Sequence, residues 1–88
     1  MTDAGLWQVA KLRQLRSLGL GGTKVSAAGL AALGALPHLE TLDITGTAAQ
    51  KEPQIDLRSL QSLKTVYAYE SDERTILVPE GCHVITFD

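Results

Sequence analysis

Apolar residues recur along this chain of 88 residues in groups spaced L-x-x-L-x-L, and each group is followed three positions later by a hydroxyl residue. Three such groups are spaced 24 positions apart (39 − 15 = 24 and 63 − 39 = 24): Leu15, Leu18, Leu20 and Thr23; Leu39, Leu42, Ile44 and Thr47; Leu63, Val66, Ala68 and Ser71. A fixed period in the twenties is typical of stacked repeats that share one hydrophobic core. We expect a single domain over 1–88, with repeats at about 2–25, 26–49, 50–73 and 74–88.

Each repeat is expected to contain one strand, and the first two are expected to open with a helix. Segments 16–20, 40–44 and 64–68 alternate apolar and other residues, which predicts strands with one buried face. Helices are predicted at about 3–11 and 27–35, where apolar residues return every third position. Thr2 and Ser26 are predicted to cap them, and Pro37 to end the second one.

The later repeats depart from this regular pattern. Pro53 interrupts the third helix position, so only a short helix or turn is expected around 56–61. Cys82, Ile85 and Phe87 repeat the L-x-x-L-x-L spacing near the end of the chain. A terminal strand and partial cap are therefore predicted there, with Ile85 facing the core.

The motifs T-D-A-G-L at 2–6 and L-x-x-L-x-L-x-x-T-K-V at 15–25 resemble bacterial leucine-rich repeats, closely over about 2–49 and loosely over 50–88. The resemblance implies an α/β right-handed solenoid of about three and a half repeats, with parallel strands on its concave side and helices or turns on its convex side. It also implies a non-catalytic scaffold for protein–protein interaction, with no catalytic residues to carry over. Hydroxyl residues occupy the usual asparagine position, where they can still bond to the backbone of the turn.

Composition favours an ordinary globular protein without a cofactor. The formal charge is −2, no apolar run is long enough to span a membrane, and no signal peptide is recognised. The single cysteine, Cys82, is expected to be an inert core thiol, which points to the cytoplasm. The glycine cluster at 19–24 does not match a phosphate loop, and no basic stripe for nucleic acid is present. Neither a metal site nor an enzyme is expected, because no ligand set or activated nucleophile can be placed.

The candidate binding site is the concave strand face. Its outward residues are expected to form rows across the strands, with the central row made of Gly19, Asp43, Tyr67 and Thr86. Tyr67 and Tyr69 share one face of a strand, and exposed tyrosines are common anchors of protein interfaces. Alternatively, the two rings only cover their neighbours. The predicted partner-binding residues are these: Tyr67, Tyr69, Asp43, Thr45, Thr41, Thr65 and Glu70.

A second possible role is assembly through the first strand, which has no predicted neighbour on its outer side. An exposed strand edge of this kind is normally covered, so the chain could be a homo-oligomer or a fragment of a longer solenoid. Residues 1–24 carry a net charge of +3 and residues 25–88 a net charge of −5, which together give −2. This difference is either ordinary surface variation or a basic end and an acidic end that favour head-to-tail contact.

Overall fold

The computed structural model describes residues 2–69 and 75–87 as a mixed α/β fold. Its helices are α1 (Asp3–Val9) and α2 (Ala27–Ala31), and 3-10 turns span Ala32–Ala35 and Ala48–Lys51. Its strands are β1 (Ser17–Gly19), β2 (Thr41–Asp43), β3 (Gln54–Asp56), β4 (Thr65–Tyr69), β5 (Thr75–Leu77) and β6 (His83–Phe87). The predicted parallel arrangement of strands is confirmed.

Four of the strands form one parallel sheet in the order β1-β2-β4-β6. Leu18 pairs with Leu42, and Leu42 pairs with Val66, so neighbouring strands are offset by the 24 residues of the sequence period (42 − 18 = 24). Because side chains alternate between the two faces of a strand, this register places equivalent residues in rows across the sheet.

The core lies between this sheet and the helical segments. Its buried residues come mainly from the repeated apolar positions: Leu6, Leu20, Val25, Leu30, Leu33, Leu36, Leu39, Leu42, Ile44, Ala49, Ile55, Leu57, Leu60, Leu63, Val66 and Ala68. The opposite side of the sheet, which we call the outer face, carries residues such as Asp43 and Tyr67. Within the described residues, no helix has the length and apolar character needed to cross a membrane.

The two predicted helices form, but each differs in one respect from the prediction. Helix α1 ends at Val9, so Leu12 lies beyond it and is exposed. The second helical segment changes from α-helix to 3-10 geometry at Ala32 and ends before Pro37. Ser26 Oγ accepts a hydrogen bond from the Gly29 amide, as predicted for a cap. Thr2 is the N-cap residue of α1 as predicted, but the expected capping bond to its hydroxyl does not form, and its backbone carbonyl accepts the first helical bonds.

The prediction that Ile85 faces the core is wrong by one position. Val84 pairs with Val66, so Ile85 pairs with Tyr67 and faces outward. This register is held by the His83 amide, which donates to the Lys64 carbonyl at 2.9 Å. Side chains alternate along a strand, so a shift of one residue exchanges the buried and exposed sets. The row predicted to end at Thr86 therefore ends at Ile85.

A second, two-stranded parallel sheet was not predicted. Strands β3 and β5 pair with Ile55 opposite Ile76, and Ile55 is fully buried. The segment around 56–61 contains the end of β3 followed by turns, so the predicted alternative of a turn is the one that forms. Leu57 continues the pairing through its amide, which donates to the Leu77 carbonyl at 2.7 Å.

Candidate functional site

The outer face presents three rows of side chains across the four-stranded sheet. The rows follow from the observed register: Ser17, Thr41, Thr65 and His83; Gly19, Asp43, Tyr67 and Ile85; and, on the last two strands, Tyr69 and Phe87. The first row is polar on all four strands, whereas in the other two rows the residues of β1 and β2 are small or polar and those of β4 and β6 are large and apolar. The face therefore changes from open and polar to apolar along the order of the strands.

An exposed apolar cluster lies at the β4–β6 end of the outer face. Its members are Tyr67, Tyr69, Ile85 and Phe87, which we call the aromatic patch. The rings of Tyr67 and Phe87 are stacked, with their centroids 6.0 Å apart and their planes 23° apart. Tyr69, Ile85 and Phe87 remain 49%, 42% and 47% exposed. Side chains that pack together and still keep this much exposed area are suited to contact a partner.

Tyr69 is held in place from two sides. Its amide donates to Gln50 Oε1 at 2.6 Å, and Gln50 Nε2 donates to the Tyr69 carbonyl at 3.5 Å. Its ring lies over the turn after β2, where a Cβ added to Gly46 would be 3.4 Å from Tyr69 Cε2. Gly46 has a φ of +69°, a conformation that favours glycine. The Tyr69 ring is thus packed against Gly46, a turn position whose backbone conformation already favours glycine.

Asp43 stands beside the aromatic patch, since it pairs with Tyr67 in the register of β2 and β4. One of its oxygens, Oδ1, accepts hydrogen bonds from the Thr45 amide at 2.9 Å and the Thr45 hydroxyl at 2.7 Å. These bonds hold the carboxylate in one orientation at the border between the polar and the apolar part of the face. Asp43 and Thr45 are both half-buried.

The other residues predicted for the site are placed as follows. Thr41 and Thr65 are neighbours in the first row and are half-buried. Glu70 lies outside the described residues. Gly19 begins the central row, and a Cβ added there would meet no atom within 4 Å, so the face is open at that point. The structure thus brings Tyr67, Asp43 and the two threonines together on adjoining strands.

Ile85 and Phe87 belong to the aromatic patch and Gln50 binds the backbone of Tyr69, but none of the three was predicted for the site. The spacing of Cys82, Ile85 and Phe87 predicts Ile85 as the inward residue, and only the backbone pairing shows that Val84 takes that place. Gln50 is 7% exposed and lies 19 positions before the residue that it binds. A single buried amide outside the repeat pattern could have indicated such a backbone contact, because buried polar groups require partners.

Groups that could support chemistry are dispersed. The described residues contain no cluster of three or more histidine, cysteine or acidic side chains placed to bind a metal ion. Cys82, expected in the core, is only half-buried, and desolvation raises the pKa of its thiol. A raised pKa lowers the fraction of reactive thiolate at neutral pH.

No protein-family model, curated protein or solved structure matches the chain. The likeness to leucine-rich repeats therefore depends on the residues of the chain itself and stays a prediction.

Proposed function

We propose that this chain is a short leucine-rich-repeat solenoid and that it serves as a non-catalytic protein-interaction module. The aromatic patch on its outer face is the proposed binding site. The observation that carries the proposal is the exposure of three large apolar side chains of the patch, each more than 40% exposed, around one stacked ring pair. Support for the solenoid comes from the pairing of Leu18, Leu42 and Val66 at the sequence period.

The composition of the patch favours a protein partner over a small molecule. Tyrosine and phenylalanine supply large contact areas at a low cost in conformational entropy, and they are enriched among the residues that dominate binding energy. The patch lies on a sheet face rather than in an enclosed pocket, which suits a second macromolecular surface. Asp43 would supply a charged contact at its border, so a basic residue next to an apolar one is the expected complement.

The proposal also covers catalysis, nucleic-acid binding and cellular location. We assign no catalytic role, because within 2–69 and 75–87 no reactive groups converge on the patch. Among the described residues, the outer face carries no run of basic side chains of the kind that binds nucleic acid, so no such partner is proposed. With one cysteine the chain cannot form an internal disulfide, which agrees with a cytoplasmic location, where disulfides are rare.

The test compares two double variants that remove similar exposed apolar groups. Tyr69→Ser with Phe87→Ser alters the aromatic patch, and Trp7→Ser with Leu12→Ser alters apolar residues that are 65% and 56% exposed elsewhere. A protein captured by the wild-type chain from its native cells is purified, and its Kd is measured for each variant by calorimetry. Circular dichroism on the same samples checks that all variants are folded.

The patch variant is expected to weaken binding by about 30-fold or more, since one anchor residue contributes on the order of 2 kcal/mol. The control variant should keep the wild-type Kd. If every captured protein binds the patch variant as tightly as the wild type, the proposed site is wrong. Equal loss in both variants would indicate nonspecific hydrophobic adhesion and would also overturn it.

A further inference from the structure

The two outermost strands of the main sheet have complementary free edges. Strand β1 is paired only with β2, and β6 only with β4, among the residues that the structure describes. Amides alternate between the two sides of a strand. Leu20 donates its amide to Asp43 and His83 donates its amide to Lys64, so the amides of Gly19 and Val84 point away from the sheet. Both edges therefore present backbone groups that are ready for one more parallel strand.

Burial of the core is incomplete at these same two edges. The inner residues of β2 and β4, Leu42 and Val66, are fully buried because each has a neighbouring strand on both sides. Their equivalents on the outer strands, Leu18 and Val84, are only partly buried. A strand placed against either edge would complete the burial of these residues.

Charges at the starts of the strands alternate in sign along the sheet. Glu40 is bridged on one side by Arg16, at 3.9 Å, and on the other side by Lys64, at 3.8 Å. The equivalent position before β6 is Cys82, and the charged residue nearest to it on that side is Glu80, two residues earlier, which lines the same surface pocket as Glu40 and Lys64. The β1 end of this row is therefore positive and the β6 end negative, so the two ends are complementary in charge.

Side-chain size is complementary as well. If the internal register were continued, with His83 of one copy opposite Ser17 of the next, Ile85 would stand opposite Gly19. Ile85 is 42% exposed, and the space next to Gly19 is open. The Ile85 side chain on the β6 edge of one copy would thus lie next to the open space at Gly19 on the β1 edge of the next copy.

We infer that copies of this chain associate head to tail, with β6 of one copy pairing in parallel with β1 of the next. Backbone direction and partial burial fit an added parallel strand, and charge and side-chain size favour a second copy as the source of that strand. Because the two surfaces differ, the contact is heterologous, and it builds open chains or rings rather than a symmetric dimer. The inference concerns the sheet edges; it shares Ile85 with the aromatic patch but does not depend on the proposed role of that patch.

A charge-swap experiment tests this arrangement with the purified chain. Arg16→Glu makes both ends of the row acidic, and Glu80→Lys makes both ends basic, so each variant alone opposes head-to-tail contact. An equimolar mixture restores complementary ends at every junction. Lys51→Glu makes the same charge change as Arg16→Glu at an exposed position away from both edges and serves as the control for that variant. Association is measured by analytical ultracentrifugation at low ionic strength, about 0.05 M, where exposed charges are least screened.

The wild-type mass is expected to rise with concentration beyond that of two copies, unless a ring closes at a defined size. Each single variant should associate at least about fivefold more weakly, the scale of one exposed ion pair, and the mixture should recover wild-type association. A chain that stays monomeric, or a dimer that saturates and ignores the charge swap, would overturn the inference. Neither result would change the comparison of Kd values that tests the aromatic patch.

Discussion

Gln50 and Tyr69 are joined through the side-chain amide of one residue and the main chain of the other. The Tyr69 amide donates to Gln50 Oε1 at 2.6 Å, and Gln50 Nε2 donates back to the Tyr69 carbonyl at 3.5 Å. Gln50 ends a buried stretch of the 3-10 turn Ala48–Lys51, and Tyr69 ends β4. The bond pair therefore connects the helical side of the fold to the strand that carries the aromatic patch.

Replacing Gln50 with methionine should destabilise the fold by about 1–3 kcal/mol, because the Tyr69 amide loses its acceptor while side-chain length is preserved. Urea unfolding measures the loss, and hydrogen exchange should show the Tyr69 amide exchanging faster. Lys51→Met, at the exposed neighbouring position, is the control and should change stability little. Unchanged exchange at Tyr69 would contradict the proposed contact.

The closeness of Gly29 to Asp3 should reverse the usual effect of replacing a helical glycine with alanine. Glycine inside a helix usually costs about 1 kcal/mol relative to alanine. At Gly29, however, an added Cβ would overlap the Asp3 carboxylate. That carboxylate accepts hydrogen bonds from the Ser26 amide at 2.7 Å and the Ser26 hydroxyl at 2.6 Å. Gly29→Ala should therefore destabilise the protein instead of stabilising it.

A double-mutant cycle tests this coupling. An Asp3→Ala background removes the overlap with the carboxylate and leaves only the Cβ of residue 3, at 3.2 Å, close to the added methyl group. Gly29→Ala should therefore be much less destabilising in that background than in the wild type. The difference between the two backgrounds is expected to be about 1 kcal/mol or more, within the range found for residues in contact. Chemical denaturation of the four proteins measures it. Additive effects of the two changes would show that the side chains are not coupled.

The regular part of the fold follows from the sequence period, and the irregular part depends on contacts that the period does not contain. Leu18, Leu42 and Val66 pair as the 24-residue spacing indicates, because each repeat buries the same side chains against its neighbour. The last strand is offset from β4 by only 18 residues, 84 − 66, so the pattern no longer determines which residue faces inward. Backbone hydrogen bonds decide in favour of Val84.

The candidate site was likewise predictable only on the strands that follow the 24-residue period. Tyr67, Tyr69 and Asp43 could be placed on one face because they belong to strands with an established period. Ile85 and Phe87, which complete the aromatic patch, depended on the register of β6 and were missed. Strand β3 was missed because Pro53 disrupts the helical pattern without itself indicating a strand.

Acid should weaken the fold through Asp56. Its side chain binds Arg58, with Oδ2 2.8 Å from Nη2, and these hydrogen bonds lower the pKa of the carboxyl to about 2 from an ordinary value of 3.8. A group whose pKa is lowered by folding stabilises the native state above its unfolded pKa. This contribution is lost as the pH falls from about 3.8 toward about 2. Asp3, whose pKa is lowered by its bonds to Ser26, acts in the same direction.

The Asp56 contribution can be isolated with Arg58→Met. In this variant the Asp56 pKa should return toward 3.8, which a carboxyl-detected NMR titration would show. Stability of the variant should also depend less on pH in the acidic range, measured by urea unfolding at a series of pH values. A titration midpoint that is the same in both proteins would exclude the ion pair as the cause.

Thr23 and Thr47 occupy equivalent positions in successive repeats, 47 − 23 = 24, yet only one hydroxyl has a visible role. Thr47 Oγ1 donates to the Ile44 carbonyl at 2.9 Å in a buried site. Thr23 Oγ1 is buried without a hydrogen-bond partner among the described residues. A buried hydroxyl without a partner lowers stability, whereas a bonded one contributes about 1 kcal/mol.

Valine replaces threonine with almost the same shape, so it isolates the effect of the hydroxyl at each site. Thr47→Val should lower the free energy of unfolding by about 1 kcal/mol, and Thr23→Val should leave it unchanged or raise it by about the same amount. Each variant serves as the control for the other, because the substitution and the repeat position are identical. Equal losses in urea unfolding would mean that Thr23 also has a partner in solution, such as a bound water molecule.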